Sequence, residues 1–313
     1  MRVLITGGAG FIGSNLARRL APEHEVTALD TATGAPAETP DGAPVRVVRA
    51  DVRDAAAVDA AVASSDAVFH LAAVVGVPNA MAHQWDSITT TAVGTVNVLL
   101  AARRHGAQVL IASSSAVYGK IGVARVRETD DIHLGNTDRP AWTYSAAKLV
   151  EELLALAAHR ESDVPVKVVR LFNVIGPGQT GAYGMVVPRL VDQALAGQPL
   201  TVYGDGTQTR TFVDVEDALD GLLAVWREGE WGRPYNVGGT AEVRIVDLAE
   251  RVRELCRSAS PIRFVPFADV YGPAFEETPR RAPDISRLRT LGYSPKRPLD
   301  ETLGLIVQWR RGR

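Results

Sequence analysis

Tyr144 and Lys148 stand four residues apart in "TYSAAKLVEELLAL". On a helix, that spacing puts both side chains on one face. A tyrosine ionises near pH 10 in water, and bringing that to about 7 takes roughly 4 kcal/mol of preferential stabilisation of the phenolate. A nearby ammonium supplies part of it, so the pair has the makings of a general base with an electrostatic tuner. The same spacing also suits a plain surface contact between an aromatic ring and a lysine. A second stretch, "QVLIASSSAVYG", ends the apolar run Val109, Leu110 and Ile111 with Ser113, Ser114 and Ser115. Three hydroxyls there are either a polar strand end entering a loop or donors set against a reacting group.

"LITGGAGFIGSNLARRL" carries Gly7, Gly10 and Gly13 between a strand-like and a helix-like segment. Glycine permits a tight turn and a close backbone approach. The helix that follows offers free N–H groups and a partial positive charge to a pyrophosphate. In that context the triplet predicts a dinucleotide site. Asp30 closes the second strand, 17 residues after Gly13, with no arginine directly behind it in "DTATGAP". A carboxylate there accepts from an adenosine ribose and repels a 2′-phosphate, which favours NAD over NADP. A solvated loop aspartate is the alternative. Asp51, in "ADVRD", is placed either to reach the adenine or to cap the helix "AAAVDAAV".

These residues need a scaffold that brings strand ends together. "RVLIT", "EVTALD", "VRVVRAD", "AVFHLAA", "QVLIASS" and "VKVVRLF" are short, valine-rich apolar runs. Between them lie segments with helical apolar spacing, such as "IGSNLARRLA", "TVNVLLAARRHG" and "SAAKLVEELLALAAHR". Continuous apolar strands alternating with amphipathic helices predict an α/β fold with a doubly wound parallel sheet. Beyond residue 173 the pattern loosens into Gly-rich loops, three further helices and the Pro-rich stretch 261–283. The division expected is a cofactor-binding Rossmann domain over 1–172 and a smaller irregular substrate lobe over 173–313, with 212–240 packing back on the first.

The 313 residues carry a formal net charge of -2, so no basic nucleic-acid footprint is present. The ending "WRRGR" reads as a solvated tail. A single cysteine, Cys256, excludes an internal disulfide, and the scattered histidines suggest no metal site. No apolar run reaches the roughly 18 residues of a membrane span, and the first strand is too short for a signal peptide. The expectation is a cytoplasmic protein with no membrane or nucleic-acid partner.

The chain resembles the extended short-chain dehydrogenase/reductases, in the branch of NAD-dependent nucleotide-sugar epimerases, dehydratases and decarboxylases. The resemblance rests on "TGGAGFIG", "LD", "ADVRD", "FHLAA", "GTVNVLLAAR", "SSSAVYG", "YSAAK", "RLFNVIGPGQ", "YGDGTQTRTFVDVEDAL" and "YNVGG". It implies NAD as cofactor, held by Gly7, Gly10, Phe11, Ile12, Gly13, Asp30, Asp51, Val52, Leu71, Ala72, Ala73, Tyr144 and Lys148. It implies Tyr144 as the base for a sugar hydroxyl, Lys148 at the nicotinamide ribose, and Ser114 as the hydroxyl beside the tyrosine, with Ser115 the fallback. It also implies that Asn173 contacts the substrate and that Arg210 holds its diphosphate. Family members pair the helices at 92–105 and 144–160 into a four-helix interface, so a homodimer is expected.

Before "VYG", relatives that dehydrate a sugar carry Asp-Glu, and those that decarboxylate one carry a glutamate. This chain has Ser115 and Ala116. That difference favours a 4-epimerase. "VYGPAFEETPRRAPDISRL" nevertheless looks like the UDP-glucuronate decarboxylase branch, in which an arginine matched by Arg281 sits at the sugar carboxylate. A diphosphate clamp is the equal alternative for Arg281. The expected activity is therefore 4-epimerisation of a UDP-hexose or, preferred, UDP-glucuronate. The runner-up is a UDP-glucuronate decarboxylase or a nucleotide-sugar 4-ketoreductase, ahead of a non-enzymatic NAD-binding sensor.

Overall fold

The computed structural model describes residues 1–32, 42–120, 122–181, 184–273 and 275–312. Most of "DTATGAP", behind Asp30, and two residues of the loop "GPGQTGAYG" therefore lie outside the described residues.

The first half alternates strand and helix. In chain order it runs β1 (Arg2–Thr6), α1 (Phe11–Leu20), β2 (Glu25–Asp30), β3 (Val45–Arg49), α2 (Ala55–Ala63), β4 (Ala67–His70), α3 (Val77–Ala82), α4 (Gln84–His105), β5 (Gln108–Ser114), α5 (Thr143–Ser162) and β6 (Val166–Leu171). The second half adds β7 (Val174–Ile175), α6 (Val186–Leu195), β8 (Leu200–Tyr203), β9 (Thr209–Thr211), β10 (Val213–Asp214), α7 (Val215–Glu228), β11 (Pro234–Val237), β12 (Glu242–Arg244) and α8 (Ile245–Leu255). It closes with β13 (Ile262–Val265), α9 (Phe267–Tyr271), β14 (Arg280–Arg281), α10 (Ser286–Arg289) and α11 (Leu299–Arg311).

Seven strands make one parallel sheet in the order β11-β6-β5-β4-β1-β2-β3. Four-residue β4 and most of β5 and β6 are buried. That is why those strands read as unbroken apolar runs instead of alternating ones. The edge strand β3 exposes Arg46 and Arg49, charges that discourage pairing with another chain. One face is covered by α1 and α7 through Leu16, Leu20, Leu219 and Leu222, and the other by α2, α4 and α5 through Val58, Val62, Val98 and Ala155. The strand order reverses between β1 and β4, and ligands of such sheets bind beyond the carboxyl ends of the strands at that point.

Local signals set the element ends. Asp54 accepts from Ala56 N–H and Ala57 N–H and caps α2, while Asp214 accepts from Glu216 N–H and caps α7. Gly106, at φ +71°, ends α4 in the left-handed conformation that a side chain would resist. A separate core joins α6, α8 and α11 around Leu190, Leu248, Leu303 and Ile306. The ending is therefore no solvated tail. Most of "WRRGR" belongs to α11, where Arg310 Nη2 donates to Gln179 O at 2.9 Å and Arg311 Nη2 to Cys256 O at 2.9 Å. The buried stripe of α11 outweighs the basic residues that suggested solvent. Among the described residues no helix is long and apolar enough to cross a membrane, and no group of acidic, histidine or cysteine residues could hold a metal ion.

Candidate active site

The turn from β1 to α1 lies at the strand-order reversal. Gly7 sits at φ +72°, and a Cβ there would come within 2.9 Å of the Ala72 backbone. A Cβ on Gly13 would overlap the Gly7 carbonyl oxygen. Gly8, not singled out from the sequence, faces the Ala28 side chain and has no room for a Cβ either. Gly10 is the N-cap of α1 and supplies no side-chain cap, so the first N–H groups of the helix remain for an anion. Asp30 accepts from Ala9 N–H at 3.0 Å and Ala32 N–H at 3.0 Å, which fixes its carboxylate against this turn. Phe11 and Ile12 open α1, while Leu71, Ala72 and Ala73 follow β4, all partly buried around the same crevice. A cradle too tight for side chains, an open helix end and an acid at the next strand end suit a dinucleotide.

Asp51 is paired with Arg53 at 2.7 Å. That hydrogen bond holds its carboxyl below the usual range. The helix cap is Asp54, three residues on, not Asp51. Val52 is buried against Gly94 of α4, where a Cβ would clash with its methyl group.

Tyr144 and Lys148 occupy the first turns of α5 and interact electrostatically. Lys148 is 2% exposed and donates to Ala112 O at 2.8 Å, two residues before Ser114 on β5. The serines divide by partner. Ser113 is buried and donates to Glu152. Ser115 is buried in a 3₁₀ turn over Ser115–Tyr118. Ser114 alone is partly exposed, its Oγ accepting from Ala116 N–H at 3.2 Å.

Strand registers tie this point to the second half of the chain. Ser114 pairs with Leu171, two residues before Asn173. Asn173 Nδ2 donates to Thr211 O at 2.8 Å, next to Arg210 on β9. Arg210 stands in register with Arg281 on β14. Arg281 Nη2 donates to Thr278 Oγ1 at 3.2 Å, and Thr278 donates to Gly119 O at 3.4 Å, behind "VYG". The Arg210 side chain is 13% exposed, and burial together with the Arg281 charge brings its pKa down to about 9. Burial also lowers Arg281, whose Nε has no partner among the described residues. Glu277 pairs with Arg210. Two cations in register against one carboxylate leave a net positive charge, which suits an anionic group.

Several residues around the site were not legible as functional. Glu152 takes a fork of bonds from Arg170, Nε to Oε1 at 3.0 Å and Nη2 to Oε2 at 2.8 Å. Arg170 Nη1 also donates to Tyr118 Oη at 2.9 Å, and that hydroxyl donates to Asn236 Oδ1 at 2.7 Å. Burial pushes Tyr118 up to about 12, which removes it as a competing base. The signal for this network was present: an arginine inside the apolar strand "VKVVRLF" and paired glutamates inside an apolar helix need buried partners.

Residues 3–238 match a family model described as the NAD dependent epimerase/dehydratase family. The chain is 38% identical over 315 residues to a UDP-N-acetyl-alpha-D-glucosaminuronate decarboxylase of Bacillus cytotoxicus, covering 99% of this chain and 98% of the other. It is 35% identical to UDP-glucuronic acid decarboxylase 1 of Danio rerio, covering 98% of this chain and 72% of the other. A solved UDP-glucuronic acid 4-epimerase of Bacillus cereus, in complex with UDP-glucuronic acid and NAD, superposes with a TM-score of 0.87 at 26% identity, over 100% of this chain and 99% of that one.

Proposed function

The chain belongs to the NAD-dependent epimerase/dehydratase family, with NAD as its cofactor, and from that premise we propose that it decarboxylates a UDP-hexuronic acid after oxidising C4. In this reading 1–172, with 212–240 packed back on it, holds the cofactor, and the lobe within 173–313 holds the nucleotide sugar. NAD, when bound, supplies a two-electron acceptor for C4. Tyr144 takes the C4 hydroxyl proton, Ser114 orients that hydroxyl, and Lys148 places positive charge beside the phenolate. The product is a 4-keto acid whose carboxylate lies β to a carbonyl. It loses carbon dioxide with its electron pair moving into an enolate, and water returns a proton to C5. Return of hydride to C4 from the reduced cofactor would then give the UDP-pentose, and release without it the 4-keto form.

The observation that carries this reading is the in-register pair of Arg210 and Arg281. Side by side, the two guanidiniums can hold the UDP diphosphate, or one can hold it while the other meets the sugar carboxylate. Oxidation at C4 places that carboxylate β to a carbonyl, and such a keto acid loses carbon dioxide readily. Both decarboxylase relatives named above support it.

The second reading is 4-epimerisation. It is favoured by Ser115 and Ala116, which provide no acid beside C5. Incubation with UDP-glucuronate or UDP-N-acetylglucosaminuronate, followed by NMR and capture of carbon dioxide, separates the two. The expected products are carbon dioxide and a UDP-pentose or its 4-keto form. UDP-galacturonate or its N-acetyl counterpart without carbon dioxide would establish the epimerase instead.

We propose a homodimer as the working assembly. Trp85, 78% exposed, lies on α4 with exposed Ile88, Val93, Val96 and Leu100, and Val150 and Leu153 are exposed on neighbouring α5. So large an apolar surface calls for a partner, and a second copy across a two-fold axis covers both helices at once. Sedimentation at micromolar concentration should give twice the monomer mass, and Leu100→Glu with Leu153→Glu should give monomers.

A further inference from the structure

Lys148 does not stand alone. Its ammonium has three protons, and all three are directed at protein acceptors: Ala112 O at 2.8 Å, Glu151 Oε1 at 3.0 Å and Glu151 Oε2 at 2.8 Å. Glu151 is 0% exposed. A buried carboxylate costs several kcal/mol in lost hydration, and the helix needs only an apolar side chain at this place to fill its core. Something other than packing is therefore served by the charge.

The groups facing Glu151 are few. On α5 they are Lys148 and Glu152, the latter engaged by Arg170, with Tyr144 one turn beyond Lys148. From β4, His70 Nε2 lies 3.9 Å from Oε1. His70 is neutral, because burial and the Lys148 charge bring its pKa down to about 3, and its Nδ1 is 2.7 Å from Thr6 Oγ1. From α4, Thr95 Oγ1 lies 3.5 Å from Oε1 and donates to Thr91 O at 2.6 Å. Lys148 is thus the sole cation directly bonded to Glu151 among the described residues. Burial works against the Lys148 charge, but Glu151 and Tyr144 hold its pKa above the ordinary value.

We propose that Glu151 is a positioning residue that sets how much of the Lys148 charge reaches Tyr144. Burial pushes the Glu151 carboxyl up to about 7 against the pull of Lys148; where it is ionised, the pair is nearly neutral and the phenolate gains little. For Lys148 to bond a ribose hydroxyl, it must give up one of its three bonds, and two of the three are to Glu151. Its grip then opposes cofactor engagement as well as ionisation of the base. Full activation of Tyr144 comes only when the bound cofactor draws the ammonium toward itself.

This inference rests on Tyr144 being the base, so the test reads ionisation and turnover separately. In the holoenzyme, phenolate absorbance near 295 nm is titrated for each variant against the same variant carrying Tyr144→Phe. A carboxylate that offsets the Lys148 charge, and carries the same sign as the phenolate, disfavours ionisation of the tyrosine. Glu151→Gln is therefore expected to move Tyr144 ionisation, and the acid limb of kcat, about one pH unit lower. Glu151→Asp, which keeps the charge, is expected to stay near wild type. Glu151→Ala serves in the same way if the amide does not fold. Ionisation at the same pH in wild type and in the uncharged variant would overturn the proposal. Undiminished turnover in Tyr144→Phe alone would instead overturn the base assignment.

Discussion

Tyr144→Phe is expected to lower turnover at least about a hundredfold, the low end for removing a general acid–base group. The substitution removes one oxygen and keeps the ring at the start of α5, so Lys148 should keep its bonds to Ala112 and Glu151. The cradle of Gly7, Gly10 and Gly13 and the Asp30 carboxylate lie on other elements. Cofactor content after gel filtration should therefore match wild type. The second tyrosine near the site offers no rescue, since Tyr118 is buried and engaged by Arg170 and Asn236. Turnover within a few-fold of wild type would remove Tyr144 from the mechanism.

Arg281→Ala is the second large effect expected. A charge-assisted hydrogen bond contributes about 2 kcal/mol, so losing one guanidinium from a diphosphate should raise KM for the UDP-sugar roughly thirtyfold. The substitution also relieves Arg210 of a like charge, which makes a smaller loss at Arg210 the natural compensation. The decisive readout is the ratio of carbon dioxide to 4-epimer. With Arg281 at the diphosphate, that ratio should stay constant while KM rises. A rise in decarboxylated product would place Arg281 at the sugar carboxylate and restore the case for an epimerase whose arginine protects its keto acid.

Much of this protein follows from local pattern. Short valine-rich runs such as "RVLIT" and "AVFHLAA" read as strands covered on both faces, and the helical stripes between them supply the covers. The glycine triplet, Asp30, and the spacing of Tyr144 and Lys148 stand out in the sequence because the roles proposed for them depend on backbone geometry or on neighbours within one element. Capping was open to misreading within a turn: Asp51 and Asp54 are equivalent in composition, and only the start of α2 selects Asp54.

What depends on distant residues was closed to sequence reading. Of three adjacent serines, only their surroundings show that Ser113 serves Glu152 while Ser114 remains partly exposed. The charge of Glu151 could be counted, but its bonds to Lys148 and its place beside His70 need β4, α4 and α5 packed together. Arg210 and Arg281 are 71 residues apart in the chain and become neighbours through the pairing of β9 with β14. Sequence determined which groups can carry charge and which segments must be buried. Tertiary structure decided which charges share a site, because Coulomb interaction and desolvation depend on distances and burial that no local spacing specifies.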